Sequence, residues 1–236
     1  MILLSREEME PLSDKKVVDS WLKNAEPWTR AVRAGEIASR RLVTDNAITE
    51  AVLATSPRTA LDVGCGEGWL ARALVERGIQ VTGVDVVPEL VERARQATPG
   101  GDFRVASYEE IARSALQARF DTVVANFSLI GAAVVDDLIA ATPDLLNPGG
   151  ALVIQTLHPA FNAGDRYESG WRTGSWTGFS DDFVDPPPWY FRTIEDWIGL
   201  LVSSRLRVES LREPIHPETG KPASIIFTSR VLAVSR

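Results

Sequence analysis

From residue 59 onward, short apolar runs alternate with stretches in which apolar residues recur every three to four positions. The short runs predict buried strands, and the stretches between them predict amphipathic helices. Gly78 is placed to end the first of these helices and Pro88 to begin the second, and later ones cover 109–118 and 134–146. Such alternation with short connections predicts a parallel sheet with helices on both faces. The predicted strands cover residues 59–63, 80–84, 103–106, 120–126 and 151–157.

The chain has a different pattern on either side of this alternating region. Residues 13–56 read as helical, with Thr44 or Asp45 as the cap of the later helix. Residues 160–192 keep no regular period and contain four glycines and a run of three prolines. A loop of this length inside a compact domain is usually functional. The last predicted elements are a helix and two strands that can pair as an antiparallel hairpin, at 193–203, 206–211 and 224–234.

Composition and charge narrow the classes of partner. Of the 236 residues, 44% are hydrophobic and 24% are charged, which is enough apolar material for the core of one domain. The net charge of −7 disfavours non-specific binding to nucleic acid or to an anionic membrane. The longest apolar stretch is too short to span a bilayer, and the N-terminal apolar run is too short for a signal peptide. We therefore expect a cytoplasmic protein with no membrane partner.

The strongest motif lies where the first predicted strand ends. Gly64, Gly66 and Gly68 follow at a two-residue spacing, which allows positive φ angles and lets a ligand lie against bare backbone. The second strand ends in Asp85, whose carboxylate can accept both hydroxyls of a ribose. This order of strand, glycine loop, helix, strand and acid is typical of sites for adenosine-containing cofactors.

Two details of the loop disfavour a dinucleotide. The glycines read GxGxG rather than GxGxxG, and the loop carries Asp62 and Glu67 but no basic residue. Carboxylates beside a pyrophosphate would repel it, whereas a cofactor that carries positive charge would be attracted. We expect Cys65, the only cysteine of the chain, to be a small packing residue, and no internal disulfide is possible.

The segment LDVGCGEG at residues 61–68 resembles the first motif of the class I S-adenosylmethionine (SAM)-dependent methyltransferases, and FDTVVANFSLI at 120–130 corresponds to their fourth. The resemblance implies a Rossmann-like, doubly wound, mostly parallel seven-stranded sheet that ends in an antiparallel hairpin. It implies SAM as cofactor, S-adenosylhomocysteine (SAH) as product, and the ribose role for Asp85. The family often has an acid after the third strand that binds adenine, and here Ser107 takes its place. We expect residues 1–56 to form an N-terminal helical cap and 57–236 the SAM-binding domain, with 160–192 as the substrate cover.

Ligands of open α/β sheets bind outside the carboxyl ends of the strands, and this rule selects the candidate cofactor residues. From the N-terminal region, Trp28, Arg33, Arg40 and Arg41 are candidates to reach the carboxylate of the cofactor. The predicted cofactor-binding set is Asp62, Gly64, Cys65, Gly66, Glu67, Gly68, Asp85, Val86, Ala106, Ser107, Tyr108, Asn126, Phe127 and Ser128.

The candidate catalytic residues are His158 and Asn126. Methyl transfer mainly requires that donor and acceptor be held close and aligned, and a base helps only where the acceptor must lose a proton. His158 follows a central strand and is the best candidate base, with orientation of the following loop as its alternative role. Asn126 is expected to be polar lining for cofactor or acceptor, His216 to be structural, and no metal site is predicted.

The aromatic segment 160–192 is the predicted substrate cover, with Trp171, Trp176, Trp189 and Tyr190 as substrate residues. Between Phe161 and Tyr190, five acids against two arginines disfavour a nucleic-acid partner. The sequence thus predicts methyl transfer from SAM to a small molecule, at oxygen or nitrogen with oxygen preferred. An RNA methyltransferase, a NAD-dependent oxidoreductase and a non-catalytic SAM-binding protein stay open as alternatives, and the oligomeric state is not predicted.

Overall fold

The protein is built on one seven-stranded sheet, seen in a computed structural model that describes residues 12–113 and 116–232. The strand order is β3-β2-β1-β4-β5-β9-β8, in which β9 runs antiparallel to both neighbours and the other pairs are parallel. The predicted doubly wound sheet with a terminal antiparallel hairpin is confirmed. Its strands are β1 (Thr59–Val63), β2 (Gln80–Asp85), β3 (Asp102–Val105), β4 (Phe120–Asn126), β5 (Leu146–Thr156), β8 (Leu206–Arg212) and β9 (Ile225–Val231).

Helices cover both faces of the sheet because its central strands are apolar on both sides. In β1 every residue after the first is buried, and apolar clusters fill both faces. The helices of the described chain are α1 (Asp14–Arg33), α2 (Asp45–Ala54), α3 (Trp69–Val75), α4 (Pro88–Ala97), α5 (Tyr108–Ala112), α6 (Ala133–Leu145), α7 (Pro159–Asn162) and α8 (Ile194–Ser203). None of them combines the length and the apolar character that crossing a bilayer requires.

The sheet topology fixes where a ligand can bind. Strand order reverses between β1 and β4, because β2 and β3 lie on one side of β1 whereas β4 and β5 follow on the other. A crevice opens at the carboxyl ends of the strands at such a switch point. The glycine loop after β1 and the turn after β4 therefore share one site.

The N-terminal region is less regular than the predicted helical stretch at 13–56. Gly35 has a φ of +67° just after α1, and a π-helical turn at Arg40–Thr44 precedes α2. The expected cap at Thr44 or Asp45 is wrong, because the chain enters α2 directly from this turn and the Thr44 side chain makes no capping bond. Residues 1–11 of the predicted cap lie outside the described residues.

Three further segments differ from their predicted form. Helix α5, which follows β3, ends at Ala112, whereas the predicted helix extended to residue 118. Residues 114–115 of the predicted helix lie outside the described residues. β5 begins at Leu146, earlier than the strand predicted from 151, since Leu146 already pairs with Phe120. The segment 160–192 carries a small antiparallel ribbon of β6 (Gly170–Arg172) and β7 (Trp189–Phe191), whose three-residue strands are too short to show a period.

Candidate functional site

The glycine loop after β1 has the backbone that its sequence predicts. Gly64, Gly66 and Gly68 have φ values of +71°, +56° and +84°. A Cβ on Gly64 would lie 2.3 Å from the Cβ of Ser128, whereas a Cβ on Gly66 would meet only Nε1 of Trp28, at 3.7 Å. Gly64 therefore allows close packing, and Gly66 leaves its backbone open toward Trp28.

Asp85 ties the end of β2 to this loop. One carboxylate oxygen accepts the Gly66 N–H at 2.9 Å and the other accepts the Val87 N–H at 2.9 Å. Burial raises the pKa of Asp85, and these backbone N–H groups partly oppose the shift. Each carboxylate oxygen has a second lone pair, so the group can still accept two hydroxyl donors. The backbone carbonyl of Asp85 accepts the Ala106 N–H, which sets the start of the β3–α5 turn.

Asp62 is a buried acid below the same loop, only 2% exposed. Its Oδ2 atom has no hydrogen-bond partner within the protein. Burial, and secondly the nearby charge of Asp85, raises the pKa of Asp62 from 3.8 to about 7. The same burial raises the pKa of the Cys65 thiol, which fits a packing residue rather than a nucleophile. An unpaired buried carboxylate oxygen is costly and favours a cationic donor beside it.

Glu67 differs from its expected role of facing a cationic cofactor. Its buried carboxylate accepts Nε of Arg33 at 2.8 Å and Nη2 of Arg72 at 2.9 Å. Two arginines thus neutralise it within the protein, and the pairing fixes the end of α1 to the glycine loop. Arg33 is therefore a partner of Glu67 in this structure, and Arg41 lies exposed.

Arg40 lies in the π-helical turn and is the arginine of the predicted group that is buried. Its guanidinium stacks over the rings of Trp69 at 4.7 Å and Trp28 at 5.8 Å, and its Nε bonds Asp45 at 3.0 Å. The Nη2 atom is buried and has no protein partner. Near the open side of Gly66 the protein therefore holds one unsatisfied cationic donor.

Three residues after β3 and β4 mainly fix the backbone. The Ser107 hydroxyl accepts the Glu110 N–H as the cap of α5, and its expected contact with adenine stays a prediction. The Tyr108 hydroxyl donates to the Ser128 carbonyl at 2.9 Å, and the Ser128 hydroxyl donates to the Val63 carbonyl at 2.6 Å. Burial raises the pKa of Tyr108. Tyr108 and Ser128 lock the turn after β4 against the glycine loop.

The amide of Asn126 has a fixed orientation at the end of β4. Gln155 Nε2 donates both to the Thr44 carbonyl at 3.0 Å and to Asn126 Oδ1 at 2.6 Å. Because the Thr44 carbonyl can only accept, the Gln155 atom facing it must be the NH₂ group, and the Asn126 atom facing that NH₂ group must be Oδ1. The NH₂ group of Asn126 therefore faces away from Gln155. Phe127 follows with a φ of +53°, a strained value for a bulky residue of the kind that clusters at functional sites. Gln155 was not predicted, since a glutamine inside a buried strand has no motif.

His158 does not face the crevice as a base. It is 2% exposed, its Nδ1 accepts the Ala160 N–H at 3.2 Å, and its Nε2 lies 2.6 Å from Glu213. Both ring nitrogens are thus engaged by the protein, so the predicted general-base role is wrong and the alternative, orientation of the following loop, fits. His216 accepts the Glu218 N–H within a turn, as expected of a structural residue.

Beyond the turn after β4 lies a cavity of about 260 Å³ with a mainly aromatic wall. Of the predicted substrate residues, Trp176, Trp189 and Tyr190 line it, whereas Trp171 packs against Tyr190 from outside at a ring distance of 5.6 Å. Five of the seven tryptophans of the chain line the cavity: Trp21, Trp28, Trp176, Trp189 and Trp197. The tryptophans of α1 (Trp21 and Trp28) and of α8 (Trp197) were not predicted to line the substrate cavity. The helical period explains their positions equally well as parts of the core.

The cavity adjoins the glycine loop through α1. Trp28 both lines the cavity and lies against Gly66, and Val86, after β2, packs with Trp28 and Trp21. The fold therefore places an open glycine loop and an apolar cavity side by side.

Comparison with known proteins accounts for this arrangement. A family model described as a methyltransferase domain matches residues 60–150. Residues 60–150 of this chain therefore match a methyltransferase domain. A ubiquinone biosynthesis O-methyltransferase from Xanthomonas euvesicatoria is 40% identical over 102 residues, which are 42% of each chain. The chain thus spans less than half the length of the curated relatives it matches.

Solved structures show the same fold over more of the chain. A SAM-dependent methyltransferase from Mesorhizobium loti has a TM-score of 0.59 at 22% identity and covers 77% of this chain and 96% of its own. The 1,6-didemethyltoxoflavin-N1-methyltransferase of Burkholderia thailandensis, with SAH bound, has a TM-score of 0.65 at 19% identity. It covers 98% of this chain and 92% of its own, so the N-terminal helices and the aromatic segment also have counterparts there.

The residues of the methyltransferase site fit SAM. The α-amino-acid group of SAM carries an ammonium and a carboxylate, and the site offers an unpaired carboxylate oxygen at Asp62 and an unpaired guanidinium N–H at Arg40. Asp85 retains lone pairs for the ribose hydroxyls. The site thus offers a negative group for the ammonium of SAM and a positive group for its carboxylate.

The aromatic segment of the methyltransferase is held onto α1 by polar contacts. Asn24, fully buried, donates to the Val184 carbonyl at 2.7 Å and accepts the Val184 N–H at 2.9 Å. Asp185 is held at a φ of +46° by Lys16, Lys23 and the Ser20 hydroxyl. Together these contacts join α1 and the segment into one cover over the cavity.

Proposed function

We propose that the protein transfers a methyl group from SAM to a small-molecule acceptor, at oxygen or nitrogen. The observation that carries the proposal is the position of Trp28, whose Nε1 would lie 3.7 Å from a Cβ placed on Gly66 and whose ring also lines the aromatic cavity. Methyl transfer requires the donor and the acceptor in adjacent sites from which water is excluded. A glycine loop beside an apolar cavity supports such an arrangement.

The residues of the site divide the work of binding. SAM, when bound, supplies a methyl group already activated on a sulfonium. Asp62 and Arg40 would hold the amino-acid group, and Asp85 the ribose. The fixed NH₂ of Asn126 offers a hydrogen-bond donor at the end of β4, between the two sites. The tryptophans exclude water from the acceptor.

The cavity favours acceptors that need no base from the protein. No His, Asp, Glu, Lys or Cys stands among the described residues that line it. Proton removal in the transition state contributes to catalysis only where the acceptor has a proton to lose. The acceptor atom would therefore present its lone pair at neutral pH, as an uncharged nitrogen or an acidic hydroxyl does.

Thermal shift with SAH and with NAD tests the cofactor assignment. A ligand that binds only the native state raises its stability, so SAH is expected to raise Tm and NAD to leave it unchanged. Asp85→Asn should weaken SAH binding by about 2–3 kcal/mol, the range of hydrogen bonds to a charged group, as measured by calorimetry. Stabilisation by NAD alone, or unchanged SAH affinity in the variant, would refute the assignment.

Transfer of labelled methyl from SAM into fractions of a cell extract tests the acceptor class. We expect label in the small-molecule fraction and resistance of that label to ribonuclease. Label that ribonuclease releases would favour an RNA methyltransferase, and no transfer despite SAH binding would favour a non-catalytic SAM-binding protein. The cytoplasmic location and the exclusion of nucleic acid stay predictions from charge and composition.

A further inference from the structure

The cavity can accommodate a ligand of one or two rings. Its volume is about 260 Å³, slightly below the range of about 300–1,000 Å³ that is usual for small-molecule sites. Trp21 stands edge-on to Trp28 at a ring distance of 5.1 Å and to Trp176 at 5.8 Å. Rigid rings in these orientations leave flat surfaces that a planar molecule can cover.

Aromatic walls can also bind cations, but here two arginines of the protein already lie over the lining rings of Tyr190, Trp197 and Trp28. The Arg192 guanidinium lies 4.7 Å from the centre of the Tyr190 ring and 5.2 Å from that of Trp197. The Arg40 guanidinium lies 5.8 Å from the ring of Trp28. A cationic ligand would compete for these faces and would be repelled by both arginines.

Arg192 is fixed in this position. It is 4% exposed and donates to the carbonyls of Gly131 and Ala132 at 2.8 and 2.9 Å, and to Asp136 at 2.7 Å. Its side chain therefore cannot move aside at low cost for an incoming cation. Asp136 is half exposed on the far side, and the described lining of the cavity contains no carboxylate that could attract one.

We propose that this cavity takes a planar, neutral or anionic compound of one or two fused rings and rejects cationic acceptors. The inference rests on the proposed methyltransferase function, whose substrate class it defines. The reacting atom is then a hydroxyl oxygen on the ring or an uncharged ring nitrogen, not an aliphatic ammonium. The positive sulfonium of bound SAM adds to the same selection, because it too repels a cation.

Three probes with the same two-ring skeleton separate shape from charge. 2-Naphthol is flat and neutral, decahydro-2-naphthol is neutral but not flat, and N-methylquinolinium is flat but cationic. Calorimetric titration of each, with and without saturating SAH, should give 2-naphthol a Kd at least tenfold lower than either of the others. Equal affinities, preference for N-methylquinolinium, or no binding of 2-naphthol would each overturn the proposal.

A pair of variants places the binding in this cavity. Trp189→Leu removes a cavity wall and should weaken 2-naphthol binding at least fivefold, whereas Phe161→Leu, a half-exposed ring outside the lining, should leave it unchanged. Equal effects of the two would contradict the assigned site. Titration of SAH alone keeps the two proposals distinguishable. Absence of SAH binding would count against the cofactor assignment, whereas the selection by shape and charge is measured with the three probes in the absence of SAH.

Discussion

Asp62→Asn is expected to stabilise the ligand-free protein above neutral pH while weakening its affinity for SAM. Burial raises the pKa of Asp62 to about 7, and Oδ2 has no partner within the protein. The folded state therefore holds a proton on Asp62 that the unfolded chain, with its ordinary pKa of 3.8, has released. The contribution of protonated Asp62 to the free energy of unfolding is fully present below about pH 4. It falls as the pH rises toward 7, since the folded state binds more protons than the unfolded chain over that range.

The size of the effect follows from the shift. One pKa unit corresponds to about 1.4 kcal/mol, so the two units between pH 5 and 7 amount to about 3 kcal/mol. Asparagine does not ionise, so the free energy of unfolding of Asp62→Asn should lack this decline. The stability gap between variant and wild type should then widen by about 3 kcal/mol from pH 5 to 8. In a chain of this length this is a Tm difference of about 6–12 °C.

Denaturant titration of the ligand-free protein at pH 5, 6, 7 and 8 measures the gap, with the exposed Asp181→Asn as control. Parallel curves of Asp62→Asn and wild type across this range would refute the reasoning. Calorimetry with SAH provides the second readout. Loss of the carboxylate should raise Kd about 10–100-fold, the equivalent of one hydrogen bond to a charged group.

Three further substitutions have separate physical causes. Arg40→Gln should raise the Kd of SAH about tenfold or more by calorimetry, because the unpaired guanidinium N–H is the proposed donor to the carboxylate of SAH. Arg40→Lys, which keeps the positive charge, should raise this Kd less. Gly64→Ala should destabilise the protein by several kcal/mol more than Gly78→Ala in chemical denaturation, since both have positive φ but only the former meets another side chain. Asn24→Ala should cost about 1–3 kcal/mol and speed proteolysis within residues 160–192, because it leaves the Val184 N–H unpaired and the Val184 carbonyl with Trp176 Nε1 as its remaining donor; unchanged cleavage would show that the segment is held otherwise.

The parts of the site that depend on neighbours in sequence were predictable. Gly64, Gly66 and Gly68 have the positive φ values that their spacing suggests, and Asp85 ends β2 beside them. Both features depend on a strand and the turn that follows it, which the apolar runs define. The doubly wound, mostly parallel sheet with its terminal antiparallel hairpin followed from the family resemblance and from the strand–helix alternation.

The pairing of charged and polar side chains was not predictable in the same way. Glu67 is neutralised by Arg33, 34 positions away, and His158 is engaged by Glu213, 55 positions away. Ser107 caps a helix that begins at the next residue, a local signal that competes with the family's adenine role. In each case the residue type was compatible with binding a ligand, and a partner distant in sequence or a local cap engages the side chain in the structure.

Helix α1 explains why the cofactor loop and the cavity form one site. It contributes Arg33 to Glu67 at the glycine loop, Trp28 to the boundary between the two, and Asn24 to the aromatic segment. Asn24 and Trp28 are four positions apart and lie on one side of the helix, whereas Arg33 is the last residue of its final turn. Because one rigid element carries all three contacts, a shift of α1 toward the loop would also move the wall of the cavity. We therefore propose that the substrate cover is not the loop at 160–192 alone but that loop together with α1.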